Sequence, residues 1–322
     1  MTTNTDDAVR TGVLLPTGAS QWEQEAEPRR LIDFAVRAER LGLDSVWTND
    51  SLLSPRIEAL TMLAALAPMT ERVTLGTAAL LPVLRRPVQA AQTLASVDRL
   101  SGGRLVLGVG AGFPGRFGRP LYDLSEVPWA RRFARLDQTV ALWRQLWRGK
   151  GAPDSFHGDL LHVDGLPEGL AAHRPGGPQI WLGAASPTAL ARTGRLYDGW
   201  LPYPPDPADY AQGLTEVHRA ATGAGRSAAD VTAAVYVTVL VADDAEQGRI
   251  ALDAFARTNY GMPLEQLSAI QALVTGSAKE VAAELRRYTA AGARHLVIRI
   301  GAVGISAQTE QLEQIAEIAT AL

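Results

Sequence analysis

One rhythm constrains this chain more than anything else: short β-type runs alternate with helical patterns from end to end, with no linker or composition break between them. Eight runs are read, at Thr11–Leu15, Asp44–Thr48, Val73–Ala79, Leu105–Val109, Gln179–Leu182, Gly199–Pro202, Thr232–Val241 and His295–Ile300. The helical stretches between them are sharply punctuated. Pro28 suits a first helical turn and Gly42 closes that helix, Gly102 and Gly103 stop another, and Ser277-Ala-Lys-Glu280 has capping-box spacing. Alternating βα units imply a parallel sheet, and eight of them fit a closed barrel better than an open sheet. The expectation is an α/β fold, a single (β/α)8 barrel over residues 1–322. It carries a flexible N-terminus over 1–9 and a helical insertion over 243–275, between strands seven and eight.

Composition narrows the chemistry. With no cysteine, disulfides, thiolate metal sites and a Cys nucleophile are excluded. A formal charge of −3 gives no basic excess for nucleic acid or an acidic membrane surface. The longest apolar stretches, such as Leu60–Met69, are about half the ~20 residues a membrane span needs, and the polar opening does not read as a signal peptide. A cytoplasmic, soluble protein is expected.

In such a barrel the site lies at the C-terminal ends of the strands. The segments at those ends are mostly glycine, small and aromatic residues: Trp47-Thr-Asn-Asp50-Ser51, Gly76-Thr-Ala-Ala79, Gly108-Val-Gly-Ala-Gly112-Phe113, Gly183-Ala-Ala-Ser186-Pro-Thr188 and Trp200-Leu-Pro-Tyr203. The five histidines lack metal-ligand spacing, so no metal is expected, and no G-x-S-x-G nucleophile elbow is present. Small residues with aromatic walls suit a planar cofactor that brings its own reactivity. Trp47, Phe113, Trp200, Tyr203 and Tyr236 are candidate pocket walls, whereas Trp143 and Trp147 fall on a helical stripe and read as core. Ser186 and Pro187 suit an N-cap and first helical turn, so Gly183–Thr188 is either an anion site or an ordinary capped helix. Gly110-x-Gly112-x-x-Gly115 matches a dinucleotide fingerprint, but Pro114, Gly118 and Pro120 keep a helix from opening there. Arg299 could meet an anion or form a rim ion pair, and Arg85 and Arg86 read as solvated.

Several longer segments carry a resemblance. Leu75-Gly-Thr-Ala-Ala-Leu-Leu-Pro82, Arg86-Pro87, Leu94-Ala-Ser-Val-Asp-Arg-Leu-Ser-Gly-Gly-Arg-Leu-Val-Leu-Gly-Val-Gly-Ala-Gly112, Ala38-Glu-Arg-Leu-Gly-Leu-Asp-Ser-Val-Trp47 and Tyr197-Asp-Gly-Trp200 resemble the luciferase-like flavin-dependent oxidoreductases. The resemblance implies a barrel that binds reduced FMN for oxygenation or the deazaflavin coenzyme F420 for hydride transfer. It places the ring over Thr77, Ala78 and Ala79, often above a non-proline cis peptide, and over Gly110, Ala111 and Gly112. It places the phosphate on Gly183, Ala184, Ala185, Ser186 and Thr188. Homodimerisation through the second and third helices is implied as well, and Leu60, Met62, Leu63, Leu66 and Met69 offer apolar surface there.

Two positions depart from the family pattern. Deazaflavin members carry Asp-His where this chain has Asp50-Ser51, and bacterial luciferases carry a phosphate-binding Arg near Ala111. Asp50 and Ser51 are therefore the catalytic candidates, without assigned roles. The leading expectation is an FMN-dependent monooxygenase, using O2 and a C4a-peroxide on a small organic substrate, supplied by a separate flavin reductase. The alternative is an F420-dependent oxidoreductase, and a third reading is a non-catalytic flavin-binding protein.

Overall fold

A computed structural model describes residues 8–22, 27–113 and 118–322. Most of the expected flexible terminus, and Gly115 of the glycine spacing, lie outside them. The chain runs β1 (Arg10–Leu14), α1 (Ala19–Trp22), α2 (Arg29–Arg40), β2 (Ser45–Thr48), α3 (Ala59–Leu66), β3 (Thr74–Leu80), α4 (Pro87–Leu100) and β4 (Leu105–Val109). Next come α5 (Arg119–Leu124), α6 (Arg132–Leu146), a small hairpin of β5 (Phe156–His157) and β6 (His162–Val163), β7 (Gln179–Leu182), α7 (Pro187–Leu196), β8 (Gly199–Trp200) and α8 (Pro207–Gly223). The last part holds β9 (Thr232–Val241), α9 (Ala245–Tyr260), α10 (Leu264–Ser268), β10 (Leu273–Gly276), α11 (Ala278–Ala290), β11 (His295–Ile300) and α12 (Ile305–Ala319).

Eight strands close into a parallel barrel in the order β1, β2, β3, β4, β7, β8, β9, β11. Closure is made by Arg10 opposite His295 and by Trp200 opposite Ala233. The expected (β/α)8 barrel is the observed fold, with helices around it. The insertion departs from the helical expectation. It contains α9 and α10 but returns as β10, a ninth strand in parallel register with β9, with Leu273 opposite Thr238. The first half of β9 thus pairs with β8 and its second half with β10.

Strand side chains alternate between the barrel interior and the helix layer. The interior set begins at the base with Ser45 and His295, and continues through Leu14, Trp47, Trp181, Ala234 and Val297. Two indoles fill this lower half: Trp47 and Trp181 lie 5.3 Å apart, and His295 packs edge-on against both. Their bulk requires missing side chains opposite. A Cβ on Gly76 would come within 2.1 Å of the Trp47 ring, and one on Gly199 within 2.3 Å of Trp181. The barrel base is closed by packing, so any chamber lies above it.

The outer layer matches the helical stripes. In α2, Leu31, Phe34, Ala35 and Ala38 are buried, and Trp143 and Trp147 are core as their spacing implies. The apolar face assigned to a dimer behaves differently. Leu60, Met62, Leu63 and Leu66 are all buried within the chain itself, and only Met69 is exposed. Those side chains complete the protomer, so the surplus-surface argument for a dimer falls.

Candidate active site at the barrel mouth

The end of β3 forms one wall of the mouth. The peptide between Ala78 and Ala79 is cis, within the stretch where the resemblance places such a bond. Thr77 is fully buried, and its hydroxyl donates to the Gly108 carbonyl at 2.9 Å, pinning β3 to β4. Ala78 packs on the interior cluster from above. Beside it, a Cβ built on Gly110 would meet nothing nearer than the Ala79 methyl at 3.7 Å. Ala78, Ala79 and Gly110 therefore present a low shelf. Ala111 is buried, with its carbonyl accepting from the Tyr122 hydroxyl at 2.8 Å, and Gly112 turns the chain at φ +82°.

Across β7 the second expected segment is a capped helix start. The Ser186 hydroxyl accepts from the Ala189 amide and lies 3.2 Å from the Thr188 hydroxyl. Among the described residues the amides of Ala184, Ala185, Ser186 and Thr188 have no backbone acceptor. Ala184 and Ala185 open onto a cavity of about 640 Å³, whose lining also includes Tyr203 and one edge of Trp200.

One aromatic candidate is corrected. Trp47 is a barrel-filling residue with no exposure. Its Nε1 donates to the Ser45 hydroxyl at 2.7 Å, and that hydroxyl in turn lies 2.7 Å from His295 Nε2. Trp200 points out of the barrel, stacks on Tyr210 at 5.0 Å and donates to the Ala184 carbonyl, and it lines the cavity that Ala184 and Ala185 open onto. Phe113 and Tyr203 do meet, with ring centroids 6.3 Å apart. Burial, and then the Tyr260 phenol, push the Tyr203 hydroxyl up to about 12, so it stays protonated at neutral pH.

Asp50 is a held group. Both its oxygens accept from the Arg85 guanidinium, the nearer at 2.5 Å, and one also accepts from the Leu81 amide. Arg85 reaches Glu58 as well, at 2.7 Å, so it is a clamp across the ends of β2 and β3 rather than a solvated charge. The Ser51 hydroxyl accepts from the Leu53 amide, within its own loop.

The remaining wall is one that sequence reasoning reads only in part, through Tyr236 and Arg299. Arg299 projects inward from β11 above Val297 and is 6% exposed. It donates to the Tyr260 hydroxyl and bonds the Tyr236 phenol, while its guanidinium carbon sits 4.7 Å from the Phe255 ring centroid. Tyr260 and Phe255 come from α9, so the insertion caps this side of the mouth. Burial pulls the Arg299 guanidinium down, but the two phenols outweigh it and the net shift is upward. Burial raises Tyr236, with Arg299 acting the other way; the residue is densely surrounded yet keeps some accessible surface. Arg56, in the loop after β2, lies within electrostatic reach of Arg299, and burial followed by that like charge lowers it. A lone arginine in a loop gives no periodic signal. Tyr236 and the strand-end position of Arg299 are readable, whereas Arg56, Tyr260 and Phe255 are not.

Comparison with known proteins sets the family. The chain is 35% identical over 201 residues to an F420-dependent glucose-6-phosphate dehydrogenase of Amycolatopsis mediterranei (strain U-32), a match covering 58% of this chain and 57% of that protein. It thus spans little more than half the length of that relative. An enzyme of the same description from Kineococcus radiotolerans is 30% identical over 315 residues, covering 89% of this chain and 91% of its own. Among solved structures, an F420-dependent secondary alcohol dehydrogenase in complex with an F420-acetone adduct superposes with a TM-score of 0.78 at 19% identity, over 97% of this chain and 99% of that one. The monooxygenase RslO1 from Streptomyces bottropensis gives 0.77 at 22% identity, over 96% and 98%. At these identities the two structures share the fold. No helix among the described residues is long and apolar enough to cross a membrane, and none of their His, Asp and Glu groups could hold a metal. Residues 9–321 match the luciferase-like monooxygenase family, and the chain belongs to that family of oxidoreductases.

Proposed function

We propose that the chain is an F420-dependent oxidoreductase that moves a hydride between the deazaflavin and a small organic substrate, in preference to the FMN monooxygenase expected from the sequence. The observation that carries this reading is the likeness to an F420-dependent dehydrogenase over 89% of the chain. The residues fit the group. Ala78, Ala79 and Gly110 leave a surface with no side chain rising from it, which suits a flat ring. The unpaired amides at the start of α7 suit a phosphate, since a helix N-terminus offers free N–H groups and a positive dipole end. When bound, the deazaflavin would supply or accept the hydride.

The chain's own residues then define the proton that accompanies the hydride. Oxidising an alcohol requires a base, yet the histidine that projects into the barrel, His295, is buried at the base of it, and Ser51 stands where deazaflavin relatives place a histidine. Tyr203, kept protonated by burial, is suited to donate a hydrogen bond to a carbonyl oxygen. Carbonyl reduction is the half-reaction in which this protonated phenol can act at neutral pH, with Phe113 and Tyr203 shielding the reacting atoms from water. Ser51 also keeps a second reading in play, FMN-dependent oxygenation, which makes no demand for that base.

Anaerobic titration of the protein with F420 and with FMN, monitored by absorbance, separates the two. F420 is expected to bind at least tenfold more tightly, and reduced F420 to be oxidised without O2 by members of a panel of aldehydes and ketones. Tighter FMN binding with O2-dependent turnover would establish the monooxygenase instead.

A further inference from the structure

We propose that the barrel mouth seats the anionic group of the substrate, a carboxylate or a phosphate monoester, between Arg56 and Arg299. This rests on the proposed function only in taking the mouth as the substrate chamber.

The starting point is a set of buried donors with nothing to donate to. Nε and Nη1 of Arg56, Nε of Arg299 and Nε2 of Gln271 are all shielded from solvent and lack a hydrogen-bond partner. The Thr238 hydroxyl, opposite Arg299 in the β9–β11 register, is also unpartnered. Gln271 is joined to the same group, because its Oε1 accepts from the Tyr260 hydroxyl that Arg299 also contacts. Each guanidinium has a neutral acceptor on another nitrogen, Arg56 the Ser54 hydroxyl and Arg299 the Tyr260 hydroxyl, but buried donors left open on a charged group are costly and call for an acceptor from outside the chain.

The acceptor must also carry charge. Arg56 and Arg299 repel each other, and a guanidinium does not relieve such repulsion by losing its proton at any ordinary pH. Among the described residues neither Arg56 nor Arg299 makes an ion pair, and the carboxylates of Asp50 and Glu58 are taken up by Arg85. Asp50 is within electrostatic reach of Arg56 but is already held by two Arg85 nitrogens and an amide. The rim ion pair that the sequence allows for Arg299 is not formed. A water would satisfy an N–H group but would not offset two like charges, whereas a carboxylate or phosphate does both and matches the guanidinium fork.

Position agrees with this role. In the barrel order, β9 and β11 stand across from β3 and β4. Arg56 is fixed near them by a backbone bridge to Gly18, in the loop after β1. An anion seated there leaves the rest of a small substrate directed towards the Ala78–Gly110 shelf.

The test is calorimetric titration of the full chain, with and without F420, using inorganic phosphate and acetate at low ionic strength. Saturable one-to-one binding of at least one anion is expected, weakened at least tenfold by Arg56→Met and by Arg299→Met, with F420 affinity unchanged in both. Phosphate or acetate alone binding would identify the monoester or the carboxylate. Should Arg299→Met fail to fold, Arg56→Met, a loop substitution, carries the test. Absence of saturable binding by the unaltered chain overturns the proposal, as does binding indifferent to both variants. So does an F420 affinity that falls as far as the anion affinity, which would give the seat to the cofactor's tail. A chain that binds the anion but not F420 keeps this proposal and loses the F420 reading.

Discussion

In the lower half of the barrel, Trp47 donates to Ser45, Ser45 meets His295, and two indoles fill the space that Gly76 and Gly199 leave open. One layer higher on the same strands, Arg299 and Thr238 keep buried polar atoms with no partner, and α9 from the insertion leans over them. Alternation along β9 and β11 takes the interior from one regime to the other within a few residues. The lower half is complete in itself and contributes stability, whereas the upper half keeps buried donors open, as the proposed anion seat requires.

The largest expected effect belongs to the lower half. Trp47→Ala removes an indole from a filled interior and should cost ~3–5 kcal/mol in urea unfolding. A loss below about 1 kcal/mol would mean that the base is loosely packed and that the two halves do not differ.

A pH experiment sharpens the contrast next. Burial, then the Arg10 charge, hold the His295 imidazole down at about 3, while in the unfolded chain it titrates near 6.5. A group with a depressed folded pKa contributes stability that is complete above its unfolded value and is lost as pH falls towards the folded one. Relative to His295→Gln, the native protein should therefore lose about 2 kcal/mol between pH 6.5 and 4.5. Parallel stability curves for the two proteins would show that His295 takes up a proton readily where it sits.

The smallest effect is the most discriminating, because one hydroxyl is deleted in each half. Ser45→Ala strands the Trp47 Nε1 and His295 Nε2 atoms and should cost ~1–3 kcal/mol. Thr238→Val keeps the shape while removing an atom that had no partner, and should change stability by less than about 1 kcal/mol, in either direction. Equal losses in thermal or urea unfolding would erase the distinction.

These particulars also explain what can be read from the sequence. Strand positions, the Ser186 cap and the cis bond at Ala78–Ala79 depend on local spacing or on a long, specific motif, and all are legible there. Trp47 is misplaced by sequence reasoning for a physical reason. In a barrel both strand faces are buried, so period-two alternation does not say which side holds the interior. Asp50 with Arg85, and Arg299 with Tyr260, join residues 35 and 39 positions apart in the chain. Pairings of that kind come from closure of the barrel and from the path of the insertion, and neither leaves a mark on local composition. The apolar face of α3 reads as surplus because the neighbours that cover it come from elsewhere in the fold.

The forked pairing of β9 has a lasting consequence for the lineage of such enzymes. Near its start β9 bonds to β8, so the ring there is eight strands round; near its end it bonds to β10, and the perimeter gains a strand from the insertion. The fork lies between Ala233 and Thr238, where Tyr236 bonds Pro202 and the Thr238 amide turns to Ala272. Base and rim can thus change by separate routes. Drift within 243–275 redraws the opening and the side chains hung over it, while the glycines that accommodate Trp47 and Trp181 stay under their own constraint. A fold arranged this way can change what it admits without reopening the question of whether it stands.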